Sequence, residues 1–459
     1  MQRADFKNLR VLVLGLGVQG GGLAVTQWLL KQGAKVTVSD LKTRRELKDS
    51  LFKLTGQPIK YVLGRHPLSL LKECDLIVQN PGVPRDLALL KQARRQGIKI
   101  ENEVTLFLKL CPSRRLIAVT GSKGKSTTAS LLGQLLKSTW PKTVVAGNIK
   151  DNLLFKVLDQ LKPTTPVVLE LSSWQLELVR EQGLRLAQAI ITNLLPDHLN
   201  RYRSMNDYIS AKVGIFIGQR AEDNLVLNYD NLPSRRLLQQ AKGRVYWFSL
   251  KRPVRGAYCN HGVIYWQSGK KPQKVIKVTE LNLPGEHNLA NVLAAVSGAC
   301  LFGVSISKIR TTLPQFKGLH DRLQQIRVWH GRRFYNDTTA TAPVATEAAL
   351  RALSGQPIVL IAGGQDKSLP YGGLASLIAQ QNVKVVLLPG SATDKLVKLL
   401  PSRVRFKRAC NMVQAVRIAA RWAPSKGIVI LSPAAASFGL FKHEFDRGQR
   451  FVAAVRALK

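Results

Sequence analysis

One run of residues limits what this chain can be more than any other: Thr120-Gly121-Ser122-Lys123-Gly124-Lys125-Ser126-Thr127. It follows the short apolar stretch Leu116 to Val119 and leads into a helical pattern that continues to about Leu136, so it reads as a turn from a buried strand into a helix. Glycines at such a turn let backbone N–H groups close on phosphate oxygens, and Lys125 adds a compact positive charge. Ser126 or Thr127 can reach a Mg²⁺ ion held by the same phosphates. The usual spacing would place glycine where Val119 stands, so the loop is a shortened variant. A glycine-rich turn can also bind nothing, but the full run from strand to Gly-Lys-Ser-Thr argues for a phosphate-binding loop over Gly121 to Ser126.

A second glycine turn lies near the amino terminus. Arg10 to Leu14 is apolar, Gly15-Leu16-Gly17-Val18-Gln19-Gly20 follows, a helical run extends to Leu30, and a second strand from Lys35 to Ser39 ends at Asp40. This is the order of a dinucleotide-type βαβ unit with an acid where a ribose or base hydroxyl can be held. Taken alone, the turn also fits a hydride-transferring dehydrogenase. Asp75 to Gln79 reads as another strand, and Asn80-Pro81-Gly82-Val83-Pro84 turns at its carboxyl end, where open α/β sheets bind ligands.

Further strands are expected at Val167 to Leu169, ending at Glu170, and at Ala189 to Thr192, ahead of Pro196-Asp197-His198-Leu199. Lys212 falls on the next helix. Glu170 is a hard oxygen donor suited to Mg²⁺, or equally a helix-capping carboxylate. A helical segment from His287 ends near Leu313-Pro314, and a new alternation opens at Phe334-Tyr335-Asn336-Asp337. Strands at Ile358 to Ala362, Val383 to Leu388 and Ile428 to Leu431 give a third α/β unit. The 459 residues agree with three modules at roughly 150 residues per domain, divided at 1–112, 113–312 and 313–459.

The totals exclude several classes. Val11 to Leu30 is the most apolar early stretch, but five glycines, Gln19 and Gln27 interrupt it, so it is a poor membrane span and lacks the form of a signal peptide. A cytoplasmic chain is expected. Cys74, Cys111, Cys259, Cys300 and Cys410 have neither zinc spacing nor a disulfide pattern. The 69 Lys and Arg against 28 Asp and Glu leave a charge of +41, enough for a nucleic-acid surface. The positive residues are spread along the chain with no basic arm, which favours a compositional habit over nucleic-acid binding.

In order, TGSKGKST, ELSSWQLE, NLLPDHLNRY, the lysine of SAK, LPGEHNLANVLAA, YNDTTAT and GGQDK resemble the motifs of Mur ligases, and GLGVQG with NPGVP looks like the uridine-diphosphate module of the glutamate-adding branch. The resemblance touches all three modules. It implies an α/β chain with three domains in series: a Rossmann-like UDP-binding domain, a central P-loop ATPase domain and a Rossmann-like carboxyl-terminal domain. It also implies ATP-dependent amide formation with Mg²⁺ in peptidoglycan precursor synthesis, by a monomer. By this resemblance Lys125, Glu170, His198 and Lys212 are catalytic. Ser126, Glu170, His198 and Lys212, the last once carbamylated, surround the metal. Gly121 to Thr127 hold ATP, joined by Asn288, Asn291, Arg322 and Asp337. Gly15, Gly17, Gln19, Asp40, Asn80, Gly82 and Asn148 hold the sugar nucleotide, UDP-N-acetylmuramoyl-L-alanine. Lys367, Ser437 and Phe438 hold glutamate. The family majority implies D-glutamate as the amino acid added, while His320-Asp321-Arg322, Thr339 and His443-Glu444-Phe445 depart from the family pattern and keep L-glutamate as the alternative. A folylpolyglutamate-synthase-like ligase shares the ATP chemistry but lacks the amino-terminal module.

Overall fold

The computed structural model describes residues 2–18, 20–149, 152–197 and 201–459. Chain contacts divide it into two compact units, one of residues 1–279 with 290–313 and one of 280–289 with 314–459. Three sheets lie within them.

The first unit opens with β1 (Arg10–Leu14), β2 (Lys35–Asp40), β3 (Ile59–Leu63), β4 (Leu76–Gln79) and β5 (Lys99–Glu101), in the order β3-β2-β1-β4-β5 and all parallel. Val11 lies between Val36 and Leu76, and the near-continuous burial of β1 and β4 is that of a parallel sheet covered on both faces. The strand order reverses between β1 and β4, so the glycine turn and the Asn80 turn flank one crevice at the strands' carboxyl ends.

The same unit contains β6 (Leu116–Thr120), β7 (Val144–Gly147), β8 (Val167–Glu170), β9 (Gln188–Ile191), β10 (Asn224–Asn228), β11 (Arg244–Ser249), β12 (Gly256–Asn260), β13 (Val263–Gln267) and β14 (Gln273–Lys277). Their order is β14-β13-β12-β11-β10-β9-β6-β8-β7. β7 to β12 run parallel, and β13 and β14 add an antiparallel ribbon. Central β6 delivers the phosphate loop, while its neighbours β8 and β9 end at Glu170 and just before Thr192. Trp28, from the helix Gly21–Lys31 after the first glycine turn, packs on Phe6 and on Phe155, each ring pair 5.1 Å apart. One apolar cluster thus joins the cores of the first two sheets.

In the second unit, β15 (Gln324–Trp329), β16 (Arg332–Asn336), β17 (Ile358–Gly363), β18 (Lys384–Leu388), β19 (Phe406–Arg408) and β20 (Ile428–Leu431) take the order β15-β16-β20-β17-β18-β19. Only the β15–β16 hairpin is antiparallel.

Two expectations need correction. The helical stretch from His287 is two helices, Glu286–Phe302 and Ile306–Thr312, because Gly303 takes a φ of 102° and Ser305 caps a new start. The last module's sheet opens at Gln324 instead of Phe334, because the edge strand β15 is only partly buried and shows no clean apolar alternation. No helix among the described residues is long and apolar enough to cross a membrane.

Candidate functional site

The phosphate loop takes its shape from glycines that no other residue could replace at two points. Gly121 has a φ of 151° and packs on Thr192, while Gly124 has a φ of 84° and lies against the amide of Asn291. A Cβ at either position would collide with that neighbour. Asn291 therefore supports the loop, and its Oδ1 also accepts from Thr128 Oγ1 at 3.4 Å. Gly124 caps the helix Lys125–Lys137, which aims its amino terminus at the loop.

Two lysines converge on one carbonyl. Lys125 Nζ donates to Gly121 O at 2.9 Å and to Ser122 O at 3.1 Å. Lys212, from the helix Met205–Val213, donates to the same Gly121 O at 2.8 Å. Lys212 is only 1% exposed, with Nζ 4.7 Å from the centre of the Tyr208 ring. Burial first, and then repulsion from Lys125 and Lys123 only partly offset by Asp197, push its pKa well below that of an ordinary lysine. Lys123 forms an ion pair with Asp197 at 3.0 Å, and Tyr208 donates to Ser122 Oγ at 3.1 Å.

Glu170 is buried at the end of β8, where its Oε1 accepts from Asn148 Nδ2 at 3.3 Å. Gly147 packs against the Glu170 backbone so closely that a Cβ would collide with its carbonyl. The hydroxyl of Thr127 is buried without a hydrogen-bond partner among the described residues, and Ser126 beside it is partly exposed. His198 and Gln19 lie outside the described residues.

At the first sheet, Asp40 accepts from Gly17 N at 2.9 Å and from Lys42 N at 2.9 Å. Asn80 accepts from Gly82 N at 3.0 Å and packs against Gly15. Gly15, Gly17, Asp40, Asn80 and Gly82 therefore gather at one end of that sheet.

In the second unit, Asp337 follows β16 and is 4% exposed. It accepts from Ser432 Oγ at 2.8 Å and from Leu323 N at 3.1 Å. Burial raises its pKa to about 7 despite these bonds and the nearby Arg322. Burial, and to a smaller extent the nearby Arg322, lowers the pKa of His287. Asn288 donates to Pro284 O at 2.8 Å, closing the turn before its helix. A two-residue bridge between Gln365 and Ala436 brings the loop of Lys367 beside that of Ser437. Lys367 Nζ donates to Thr341 Oγ1 at 3.0 Å. Ser437 is buried, and Phe438 is 63% exposed.

Sequence reasoning passed over Arg447. This fully buried guanidinium donates from Nε to Thr338 Oγ1 at 3.1 Å, from Nη2 to Thr338 O at 2.8 Å and from Nη1 to Ala435 O at 3.1 Å. It ties the Asp337 loop to the Ser437 loop, and burial lowers its pKa to about 10. Its signal was present in HEFDRG, where an arginine follows the helix-capping His443. The three departures also find structural roles. Asp321 takes a φ of 64° and accepts from Asn336 Nδ2 at 2.7 Å, while Thr339 Oγ1 donates to its carbonyl at 3.0 Å. His443 Nδ1 accepts from Asp446 N at 3.1 Å at the helix start.

Residues 9–102 match the family described as "Mur ligase MurD-like, N-terminal domain", and residues 119–299 the "Mur ligase middle domain". The chain is 42% identical to a UDP-N-acetylmuramoylalanine–D-glutamate ligase of Roseiflexus sp. (strain RS-1), over 96% of this chain and 97% of that protein. It is 37% identical to the ligase of the same name from Acetivibrio thermocellus, over 100% and 98%. Among solved structures, the UDP-N-acetylmuramate-alanine ligase of Thermotoga maritima superposes with a TM-score of 0.61 at 20% identity, covering 98% of this chain and all of that one. A MurF ligase from the same organism, solved with ADP, gives 0.58 at 16% identity, over 99% and 96%.

Proposed function

The chain belongs to the Mur ligase family, and from that premise we infer that it joins D-glutamate to UDP-N-acetylmuramoyl-L-alanine at the expense of ATP, in peptidoglycan precursor synthesis. The observation that carries the reading is the pair of lysines on the Gly121 carbonyl, set at the end of β6 between the ends of β8 and β9. The near-full-length relatives named for D-glutamate decide between the two enantiomers.

The γ-phosphoryl group of ATP passes to the terminal alanyl carboxylate, ADP leaves, and an acyl phosphate results. The amine of D-glutamate then attacks the carbonyl carbon, loses a proton and expels inorganic phosphate. A carboxylate alone is too poor an electrophile for that attack. Lys125 and the N–H groups of Gly121 to Thr127 hold the phosphates and offset charge on the transferring group. Asn288, Asn291, Arg322 and Asp337 are assigned to ATP. Gly15, Gly17, Gln19, Asp40, Asn80, Gly82 and Asn148 are assigned to the sugar nucleotide. Lys367, Ser437 and Phe438 are assigned to the glutamate, whose two carboxylates suit a cation and a hydroxyl. The domains at 1–112, 113–312 and 313–459 would carry these three tasks in turn, in a cytoplasmic monomer.

Mg²⁺ fits the residues present: a buried carboxylate at Glu170 and an orphaned hydroxyl at Thr127 are the hard oxygens it prefers. Ser126, Glu170, His198 and Lys212 would hold it, and it would neutralise phosphate charge. An ammonium would repel such an ion. Lys212 instead suits carbamylation, in which its neutral amine bonds to the carbon of CO₂ and releases a proton to leave an anionic carbamate. The buried, cation-flanked setting of Lys212 supports this by favouring the neutral amine.

Phosphate release from ATP is the test. It should require the sugar nucleotide and D-glutamate together and disappear in Lys125→Ala, a loss of several kcal/mol of barrier stabilisation at about 1.4 kcal/mol per tenfold. Release independent of both co-substrates would remove the ligase reading and leave a nucleotide-hydrolysing P-loop protein.

A further inference from the structure

The connector between the first and second sheets carries a carboxyl group to which none of these roles has been given. Asn102 caps the helix Glu103–Leu110, and its Nδ2 donates to Gln175 O at 2.9 Å. Glu103, the first residue of that helix, reaches two places at once. Its Oε1 accepts from Gln175 Nε2 at 2.5 Å. Its Oε2 lies so near Gly21 that a Cβ there would meet it at 2.8 Å. Glu103 thereby lines a crevice with Gly15, Gly21, Gly22, Asn80 and Pro81, between the glycine turn and the β4 turn. On its other side, Gln175 Oε1 accepts from Ser172 N at 2.9 Å, in the capping box of the helix Ser173–Glu181 that follows Glu170.

Among the described residues, no basic side chain pairs with the Glu103 carboxyl. Burial raises the pKa of Glu103, and the amide of Gln175 only partly opposes it. Among the described residues, the charged groups on the packed elements are engaged elsewhere or exposed. Lys109 pairs with Glu101, Lys31 with Asp159, and Glu181 with Arg85. Glu177 faces Tyr202 and Arg201. Asp40 faces Gly17 N. Arg180 and Lys156 are exposed.

We propose that Glu103 takes up a proton from solvent when the diphosphate of the sugar nucleotide enters beside the first glycine turn, and that it thereby positions this turn against the helix after Glu170. The proposal rests on the sugar-nucleotide reading of that turn. Two anions in a narrow crevice raise each other's cost, so the diphosphate selects the neutral acid. Once protonated, the carboxyl has a hydrogen to donate to a phosphate oxygen, while its other oxygen keeps the bond from Gln175. Glu103 thereby contacts the substrate and responds to its charge.

The test is calorimetric titration of UDP-N-acetylmuramoyl-L-alanine without ATP, in buffers of different ionisation enthalpy, from about pH 5 to about pH 9. The diphosphate diester does not titrate in this window, and the uracil N–H does so only towards its alkaline end and equally for both proteins, so the difference in proton uptake between the parent and Glu103→Gln reports Glu103. In the parent protein, uptake should approach one proton in part of the range, and affinity should fall by up to tenfold per pH unit there. Glu103→Gln keeps the shape and the acceptor for Gln175. It should abolish that uptake, flatten the affinity and bind more tightly than the parent at the alkaline end, with the Michaelis constant for ATP unchanged. Equal uptake in both proteins, or none in the parent, overturns the proposal while leaving the substrate reading intact. If neither protein binds the sugar nucleotide, the substrate reading fails and this proposal with it.

Discussion

At position 212 a lysine sits in a place that would ordinarily reject a cation, sharing a carbonyl with Lys125 and nearly closed off from water. Lys212→Ala should lower turnover by roughly 10³-fold or more, on the order of 4 kcal/mol of barrier. Short carboxylic acids should restore part of it by filling the anionic position, whereas Lys212→Arg should stay inactive. Steady-state rates with and without added acetate measure this, and normal turnover in the arginine variant would mean the residue acts as a plain cation. Asp337 offers a second test. Its folded pKa of about 7 lies above the usual carboxylate value, so its contribution to stability is complete below about pH 4 and is lost as pH rises through about 7. The loss is on the order of 4 kcal/mol at full ionisation, taken as an upper bound because the protein relaxes around a buried charge. Thermal melts at pH 5 and pH 8 should therefore differ less for Asp337→Asn than for the parent. At this scale the sequence was legible where position follows from a local motif: Lys125 after its loop and Glu170 at its strand end. It was silent on Arg447 and Glu103, whose partners Thr338 and Gln175 lie 109 and 72 residues away along the chain.

Between residues and the whole lie the loops, and in the second unit two of them are held by one arginine. The fork of Arg447 satisfies Thr338 and Ala435 together, a geometry an ammonium cannot copy. Arg447→Lys should destabilise the protein by about 1–3 kcal/mol and raise the Michaelis constant for D-glutamate severalfold more than that for ATP. Arg447→Met removes the buried charge as well and should recover stability without recovering glutamate affinity. Melting curves beside both Michaelis constants separate these outcomes, and unchanged constants in both variants would detach Arg447 from the glutamate site proposed at Lys367 and Ser437. The elements themselves divide by burial. Central strands such as β1, β6, β17 and β20 are continuous apolar runs and could be read directly. The stretch from β10 to β14 went unread, and β13, with its alternating partial burial, signals only weakly in a single sequence. The loop departures at Asp321 and Thr339 were visible as letters, but their bond to each other needed the fold.

Across the whole molecule, three sheets present three sets of motif residues, and the order of those motifs along the chain carried the family before any coordinate did. The charge of +41 was the feature that argued for a different class. In the fold it accompanies a chain related along nearly its full length to amide-forming ligases, although phosphate-bearing substrates do not require so large a charge. The central claim is that these modules make one bond, between the alanyl carboxylate of a sugar nucleotide and the amine of D-glutamate. The direct measurement is mass spectrometry of the product formed from ATP, Mg²⁺ and UDP-N-acetylmuramoyl-L-alanine with either D- or L-glutamate. A glutamyl adduct should form with D-glutamate, with one phosphate released per adduct, and little should form with L-glutamate. Equal adduct from the two enantiomers, or phosphate release with no adduct, would contradict that claim.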